Sequence, residues 1–430
     1  MNTMSVAIAT VTIFILFFAN VPIAFSLIVG TLVYMLFSAD LQPMIMIQRM
    51  MAGVESIPLL AIPFFVAAGA LMTYSGIARR MTNFAEVFTG HLPGGLAQVN
   101  ILLSTMMGGL SGSSVASSAM FSKIMFPQMA KRGYSAGFST SVIATSAVID
   151  AMIPPAIGMI LYGFIGNVSV GKLFLAGIFP GILLCALLMV TTHFISKKRN
   201  YLPYREKMAR PKEILFASKD AILALLLPVI IIGGIRGGMF TPTEAGAIAV
   251  IYALVLGLLF YREMKFHHFK EALRETVSVS ASILVIIASG SAFAWILTWE
   301  RIPQTATEFV TGLVDSPIMF LFIINIFLLL LGMFMEGNVA IIILTPLLMP
   351  MVQSYGIDPV HFGIILLFNL ALGTIHPPLG TIMYTTCQVT GTKIEDFVKE
   401  VIPFLLVMIL ELLLITYIPW ITMWLPNLLM

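Results

Sequence analysis

Long uncharged apolar blocks set the pattern of this chain. Residues 1–39, 173–196, 221–235, 245–261, 276–299, 316–335, 359–392 and 401–410 contain no Asp, Glu, Lys or Arg. The first block is about twice the ~20 residues that one spanning helix needs, and Asn20-Val21-Pro22 divides it into two expected helices. It has no basic leader and no small-residue cleavage site, so its start reads as a retained helix. Further helices are expected over 57–74 and 278–297. Two apolar stretches, 95–130 and 316–353, are broken by polar and glycine-rich text, MGGLSGSSVASS and MFMEGNVA. Such text at membrane depth predicts re-entrant hairpins, because irregular backbone is tolerated there only where protein or a water-filled cavity satisfies it.

The second half repeats the first. Pro127, Pro154, Pro155 and Pro180 recur, 223 positions on, as Pro350, Pro377, Pro378 and Pro403. IPPAIGMILYG is thereby matched to HPPLGTIMYTT, and near the repeat starts Val21-Pro22 lies opposite Thr241-Pro242. The pattern divides the chain into a first repeat (1–196), a connector (197–220) and a second repeat (221–430). Each repeat has scaffold helices (1–39; 221–261), a hairpin (95–131; 316–353) and a broken helix (136–166; 359–388). Duplicated membrane segments broken by Pro and Gly at matching places are the sequence sign of a secondary transporter that binds its cargo between broken helices.

Charge adds the orientation. The connector carries Lys197, Lys198, Arg199, Arg205, Lys207, Arg210, Lys212 and Lys219, which places it in the cytoplasm by the positive-inside rule. Tracing each half from there gives about ten crossings plus two hairpins. Both termini are then periplasmic, and the odd crossing count between the two starts makes the repeat inverted. Composition agrees with the membrane assignment: 59% of residues are hydrophobic and 10% charged, against roughly 25% charged in soluble proteins. The net charge of +3 is too small to suggest nucleic acid. Cys185 and Cys387 both lie in apolar text, with neither disulfide nor zinc spacing.

The breaks hold the candidate chemistry. Ser111, Gly112, Ser113 and Ser114 place hydroxyls and flexible backbone where a membrane helix would carry Leu or Val. Hydroxyls and freed carbonyls are hard oxygen ligands suited to alkali cations. The segment from Asp150 to Pro155 frees more carbonyls, since each proline removes a donor. Close helix packing is the competing reading, because Gly and Ser are enriched at membrane helix interfaces. Asp150 and Glu336 are costly in a membrane and are functional candidates for that reason. Neither has a Lys or Arg close in the trace, so a bound cation or a proton is the expected compensating charge. His376 reads as a proton carrier or as a satisfied local histidine, and the 29 methionines as apolar filler.

GGLSGSSVASSAM, IPPAIGMILYG, GGIRGGMFTPTEAGAIAV, GMFMEGNVAIIILTPLLMP and NLALGTIHPP resemble the signature stretches of the large membrane subunit of TRAP (tripartite ATP-independent periplasmic) transporters. The resemblance covers nearly the whole chain in order. It implies an all-α, elevator-type fold of two inverted repeats in the bacterial inner membrane, with sodium ions as coupling ions and no organic cofactor. It also implies a small four-helix membrane partner and a periplasmic binding protein that delivers an organic acid, a sialic acid or a C4-dicarboxylate. Carried over by position, one sodium site falls on Ser111, Gly112, Ser114, Ser117 and Asp150. The other falls on Glu336, Gly337, Asn338, Gly373 and Thr374. The substrate positions are Ser113, Ser114, Pro155, Asn338, Asn369 and Pro378. Three residues depart from the family pattern: Ser117 stands where Asp is common, Asp150 where Gly is common, and His376 where Thr is common.

Two other readings compete. One is a stand-alone sodium- or proton-coupled carboxylate symporter of the same architecture. The other is an intramembrane serine protease built on Gly109-Leu110-Ser111-Gly112 with His376 as base. The duplication opposes the protease, which needs one serine and one histidine rather than two hairpins facing two double-proline breaks.

Overall fold

The computed structural model describes residues 3–38, 42–109 and 113–430. Among these there are helices and no strands. The first half contains α1 (Thr3–Phe18), α2 (Ile23–Phe37), α3 (Met44–Val54), α4 (Ala61–Tyr74), α5 (Ile77–Thr89), α6 (Gly95–Met107), α7 (Ser114–Lys131), α8 (Ala136–Ala147), α9 (Ile157–Ile165) and α10 (Val170–Lys198). The second half contains α11 (Pro211–Arg236), α12 (Pro242–Val255), α13 (Phe266–Trp299), α14 (Ile302–Leu313), α15 (Pro317–Phe334), α16 (Gly337–Ser354), α17 (Pro359–Gly373), α18 (Thr381–Thr390), α19 (Ile394–Tyr417) and α20 (Trp420–Leu429). Among the described residues, seven spans qualify as membrane-crossing by length and apolar composition, or eight if α19 and α20, bent by 54°, count as one.

The repeat is legible element by element. Helices α1 and α2 answer to α11 and α12, α5 to α14, and the hairpin α6/α7 to α15/α16. The broken helix α8/α9 answers to α17/α18, and α10 to α19 with α20. In the first half α3 and α4 stand where α13 is continuous over 34 residues. The reason is Pro58, which lies inside a 3₁₀ turn (Ile57–Leu60) after the extended Ser56. Proline lacks the amide that would continue the helix and disfavours helical backbone before it; its counterpart, Ala281, imposes neither constraint. The start of α12 shows what the text TPTE encodes. Thr241 accepts the Glu244 amide, the Glu244 carboxylate accepts the Thr241 amide at 2.7 Å, and Pro242 occupies the first turn. This is a capping box, and the Thr243 hydroxyl ties it to the Ile57 carbonyl at 3.1 Å.

Direct contacts show the inversion. Gly158 of α9 meets Leu367 of α17, while Tyr162, one turn later, meets Gly363 and bonds the Pro359 carbonyl at 2.7 Å. The two broken helices therefore pass antiparallel.

Three features differ from the expected layout. The connector is shorter than 197–220, because Lys197 and Lys198 end α10 while Lys212 and Lys219 lie within α11. It is pinned by Arg199 to Glu400 (2.8 Å) and by Arg205 to Glu213 (2.6 Å). Helices α3, α5 and α14 were not foreseen. In α5, Ile77, Met81 and Ala85 are buried at fourfold spacing, the stripe of a surface helix. Arg79 and Arg80 lie between those positions and both bind Glu263, at 2.6 and 2.8 Å. Finally, the scaffold helix α2 faces the second hairpin rather than the first. An apolar cavity of about 340 Å³ separates Ile13, Ile23 and Leu27 from Leu331, Met335 and Leu344. Inversion accounts for this, since it lays the scaffold of one repeat beside the hairpin of the other.

Candidate functional site between two hairpin tips and two broken helices

The end of the first arm of each hairpin is pressed onto the broken helix of its repeat. At Gly109 the backbone φ is +74°, and a Cβ would lie 2.6 Å from the Ile153 carbonyl oxygen and from the Pro155 nitrogen. Only glycine permits both the conformation and the approach. In the second repeat the close approach falls about one turn earlier on the broken helix: a Cβ on Gly373 would come within 2.7 Å of the Gly332 backbone. Gly109 and Gly332 are repeat partners, and so are Asp150 and Gly373. The Pro154-Pro155 and Pro377-Pro378 bonds are both cis, again in matching positions.

The second arm of each hairpin starts at a side-chain cap. Ser113 accepts the Ala116 amide at 3.4 Å, and Glu336, its repeat partner, accepts the Val339 amide at 3.4 Å. The other Glu336 oxygen accepts the Asn338 side-chain amide at 2.8 Å. The positive ends of α7 and α16 thus converge on the site, one capped by a neutral hydroxyl and the other by a carboxylate. First arms are pinned to the broken helices in the same symmetric manner. Asn100 and Ser104 bond Ser146 at 2.7 and 3.2 Å, and the repeat partner of Ser146, Asn369, bonds Asn325 Oδ1 and O at 2.9 and 3.0 Å.

Between these parts lies a cavity of about 80 Å³. Ser113, Ser114, Asp150, Glu336, Asn338, Thr374 and Thr381 supply its polar wall, and Ile157, Ile341, Leu367 and Leu370 its apolar one. No Lys, Arg or His lines it among the described residues. Asp150 is 4% exposed, whereas Glu336 is accessible. Two carboxyls share a partly dehydrated space with hydroxyls and broken backbone, an oxygen-rich setting suited to a hard monovalent cation.

The expected site residues divide into three groups. Ser113, Ser114, Asp150, Glu336, Gly337, Asn338 and Thr374 line the cavity together. Ser117, Pro155, Asn369, Gly373 and Pro378 do not; Ser117 and Asn369 are buried beside it, Gly373 is in the tip contact, and Pro378 is exposed. Ser111 and Gly112 lie outside the described residues. His376 turns its Nδ1 to the neighbouring Pro377 carbonyl at 2.6 Å, the local satisfaction that competed with the relay reading.

The sequence reading passed over two buried polar residues. His361 in α17 hydrogen-bonds the Thr422 hydroxyl (2.7 Å) and the Thr416 carbonyl (3.3 Å). Glu411 in α19 is 0% exposed. Both stand nearly alone in apolar text, and for Glu411 that isolation within a membrane helix was itself the signal.

Comparison with known proteins agrees with this architecture. The family model described as "Tripartite ATP-independent periplasmic transporter, DctM component" matches residues 10–421. The sialic acid TRAP transporter large permease protein SiaM of Vibrio cholerae is 38% identical over 413 residues, covering 96% of each chain. The C4-dicarboxylate TRAP transporter large permease protein DctM of Pseudomonas aeruginosa is 39% identical over 398 residues, covering 93% of this chain and 92% of that one. In overall fold the chain is similar to the crystal structure of the Alcanivorax borkumensis YdaH transporter, with a TM-score of 0.61 over 87% of both chains at 15% identity. A family match spanning nearly all of the sequence, with two such relatives aligned almost end to end, means that the chain belongs to the tripartite ATP-independent periplasmic transporters, as a multi-pass large permease of the DctM type.

Proposed function

We propose that this permease imports a small organic acid across the bacterial inner membrane with sodium as the coupling ion. A periplasmic binding protein delivers the acid, and a small four-helix membrane subunit stands beside the permease. The observation that carries the reading is the cavity itself. Asp150 and Glu336 face it, and the described residues of its wall include no cationic side chain, a setting that favours a bound cation. The acid's own carboxylate suits the end of α7, where the cap is the neutral Ser113 and the helix dipole favours an anion. The two cited relatives are named for a sialic acid and a C4-dicarboxylate at nearly equal identity, which supports an organic acid without choosing between them.

The cavity of about 80 Å³ is well below the roughly 300–1,000 Å³ of ordinary small-molecule pockets. It suits ions and a few waters, and room for a larger acid comes from displacement against the scaffold. Hairpins and broken helices move as one body against the scaffold, around a site held between the repeats. The loosely filled apolar seam between α1/α2 and the second hairpin is suited to that sliding, because it contains few polar contacts to break.

The test is uptake into liposomes holding the permease and its small partner, with candidate binding proteins outside. The account expects uptake that needs both an inward sodium gradient and a binding protein. Uptake driven equally by a proton gradient without sodium, or without any binding protein, would favour the stand-alone symporter.

A further inference from the structure

Glu411 lies on the inner face of α19 among Val401, Phe404, Met408, Leu412 and Ile415, all buried. Its side chain is fully enclosed, and among the described residues neither carboxyl oxygen has a hydrogen-bond partner. Several other buried polar side chains around α17 and α19 are tied to one another, as in the His361, Thr422 and Asn325, Asn369, Thr416 contacts, and Glu411 is the acidic residue of α19 that is fully enclosed with neither oxygen so tied. The repeat partner of Glu411 is Leu188, equally enclosed in α10. An apolar side chain of similar size therefore satisfies the packing at this place in the fold, and packing alone does not account for the carboxyl.

An ionised carboxylate enclosed without a partner is far more costly than its neutral acid. A metal ion would need several oxygen ligands, which the flanking Phe404, Met408, Leu412 and Ile415 side chains lack. A proton needs one. We propose that Glu411 is a proton-binding site of the bundle formed by α8, α10, α17 and α19, filled by a proton taken from water, and that the neutral acid is the transport-competent form. The step balances as carboxylate plus proton giving carboxylic acid, with no other reactant.

Titratable groups on the elements packed against α19 do not supply an alternative. Helices α8 and α20 carry none, and Asp150, in the turn that continues α8, faces the cavity. In α17, both ring nitrogens of His361 are engaged by Thr422 and Thr416. In α18 the groups are Tyr384 and Cys387. In α10 they are Cys185, which bonds Met189, and Lys172, His193, Lys197 and Lys198 towards its ends. None reaches the Glu411 oxygens.

The test is infrared difference spectroscopy of the purified permease against Glu411→Gln near neutral pH. The expected result is one carboxylic-acid C=O stretch per chain, present in the wild type and missing in the variant. Raising the pH should remove that band, and wild-type transport should fall with it by up to tenfold per pH unit, the limit for loss of a single proton. The alkaline limb should be missing from the Glu411→Gln profile. If Glu411→Gln fails to assemble, Glu411→Asp reports the same proton by shifting the band while keeping a carboxyl. A carboxylate signal instead of an acid band, or the same alkaline limb in wild type and variant, would overturn the proposal. The spectroscopic arm does not rest on sodium coupling, so failure of the functional reading and failure of this one are distinguishable.

Discussion

At Gly109 one missing side chain decides whether the first tip can rest on its break. The positive φ and the 2.6 Å approach to the backbone of residues 153–155 leave no room for a methyl group. Gly109→Ala should cost about 1–3 kcal/mol through combined strain and overpacking, read as a lower unfolding temperature in detergent together with lost transport. The same substitution at Gly133, which also has positive φ but has nothing within 4 Å of its Cβ position, should lose far less. The carboxyls test the ion reading. Asp150→Asn and Glu336→Gln keep size and one oxygen but remove the charge, so each should weaken sodium dependence of uptake while membrane insertion persists. Unchanged sodium dependence in both would make these carboxyls structural and leave any site to backbone and hydroxyl oxygens.

Pairs of elements reveal how the tips are held. Asn325 and Asn369 join the second hairpin to its broken helix, as Asn100 and Ser104 with Ser146 join the first. Replacing Asn325 by Leu keeps the bond of Asn369 to the backbone oxygen of residue 325 but removes the one to Oδ1 and the donor to the Thr416 hydroxyl, at a cost of about 1–3 kcal/mol. A double-mutant cycle with Asn369→Leu should recover part of that loss, with a coupling of roughly 0.5–3 kcal/mol; strict additivity would mean that the pin contributes nothing. The breaks were legible in the sequence because proline and glycine at membrane depth have few structural alternatives. So was α5 in principle, through its fourfold stripe of Ile77, Met81 and Ala85, although the search for long uncharged blocks passes over a helix containing Arg79, Arg80 and Glu86. What composition could not convey was which scaffold faces which hairpin. That pairing is made at the apolar seam, where Ile13, Ile23 and Leu27 approach Leu331, Met335 and Leu344, residues far apart in the sequence.

Over the whole molecule, duplication converts one set of local choices into a site with two of everything: two tips, two breaks and two capped helix ends around one cavity. The symmetry is incomplete where charge is concerned, since Ser113 answers to Glu336, Gly373 to Asp150 and Leu188 to Glu411. Scaffold helices α1 and α2 form their own apolar core with α3 and the end of α13, centred on Ala9, Leu27, Tyr34 and Ile296. The buried residues of α11 and α12 join the large core instead, so the proposed division into a moving and a static body would be sharpest at the α1/α2 seam. The most direct test of the account is to lock that seam. With Cys185 and Cys387 replaced, Leu27→Cys and Leu344→Cys face each other across the apolar cavity, and a bifunctional thiol crosslinker of matching length with a cleavable disulfide would join them. The account predicts that uptake stops when the crosslink forms and returns when it is reduced, with the binding protein still docking throughout; full uptake through a crosslink verified as complete would contradict it.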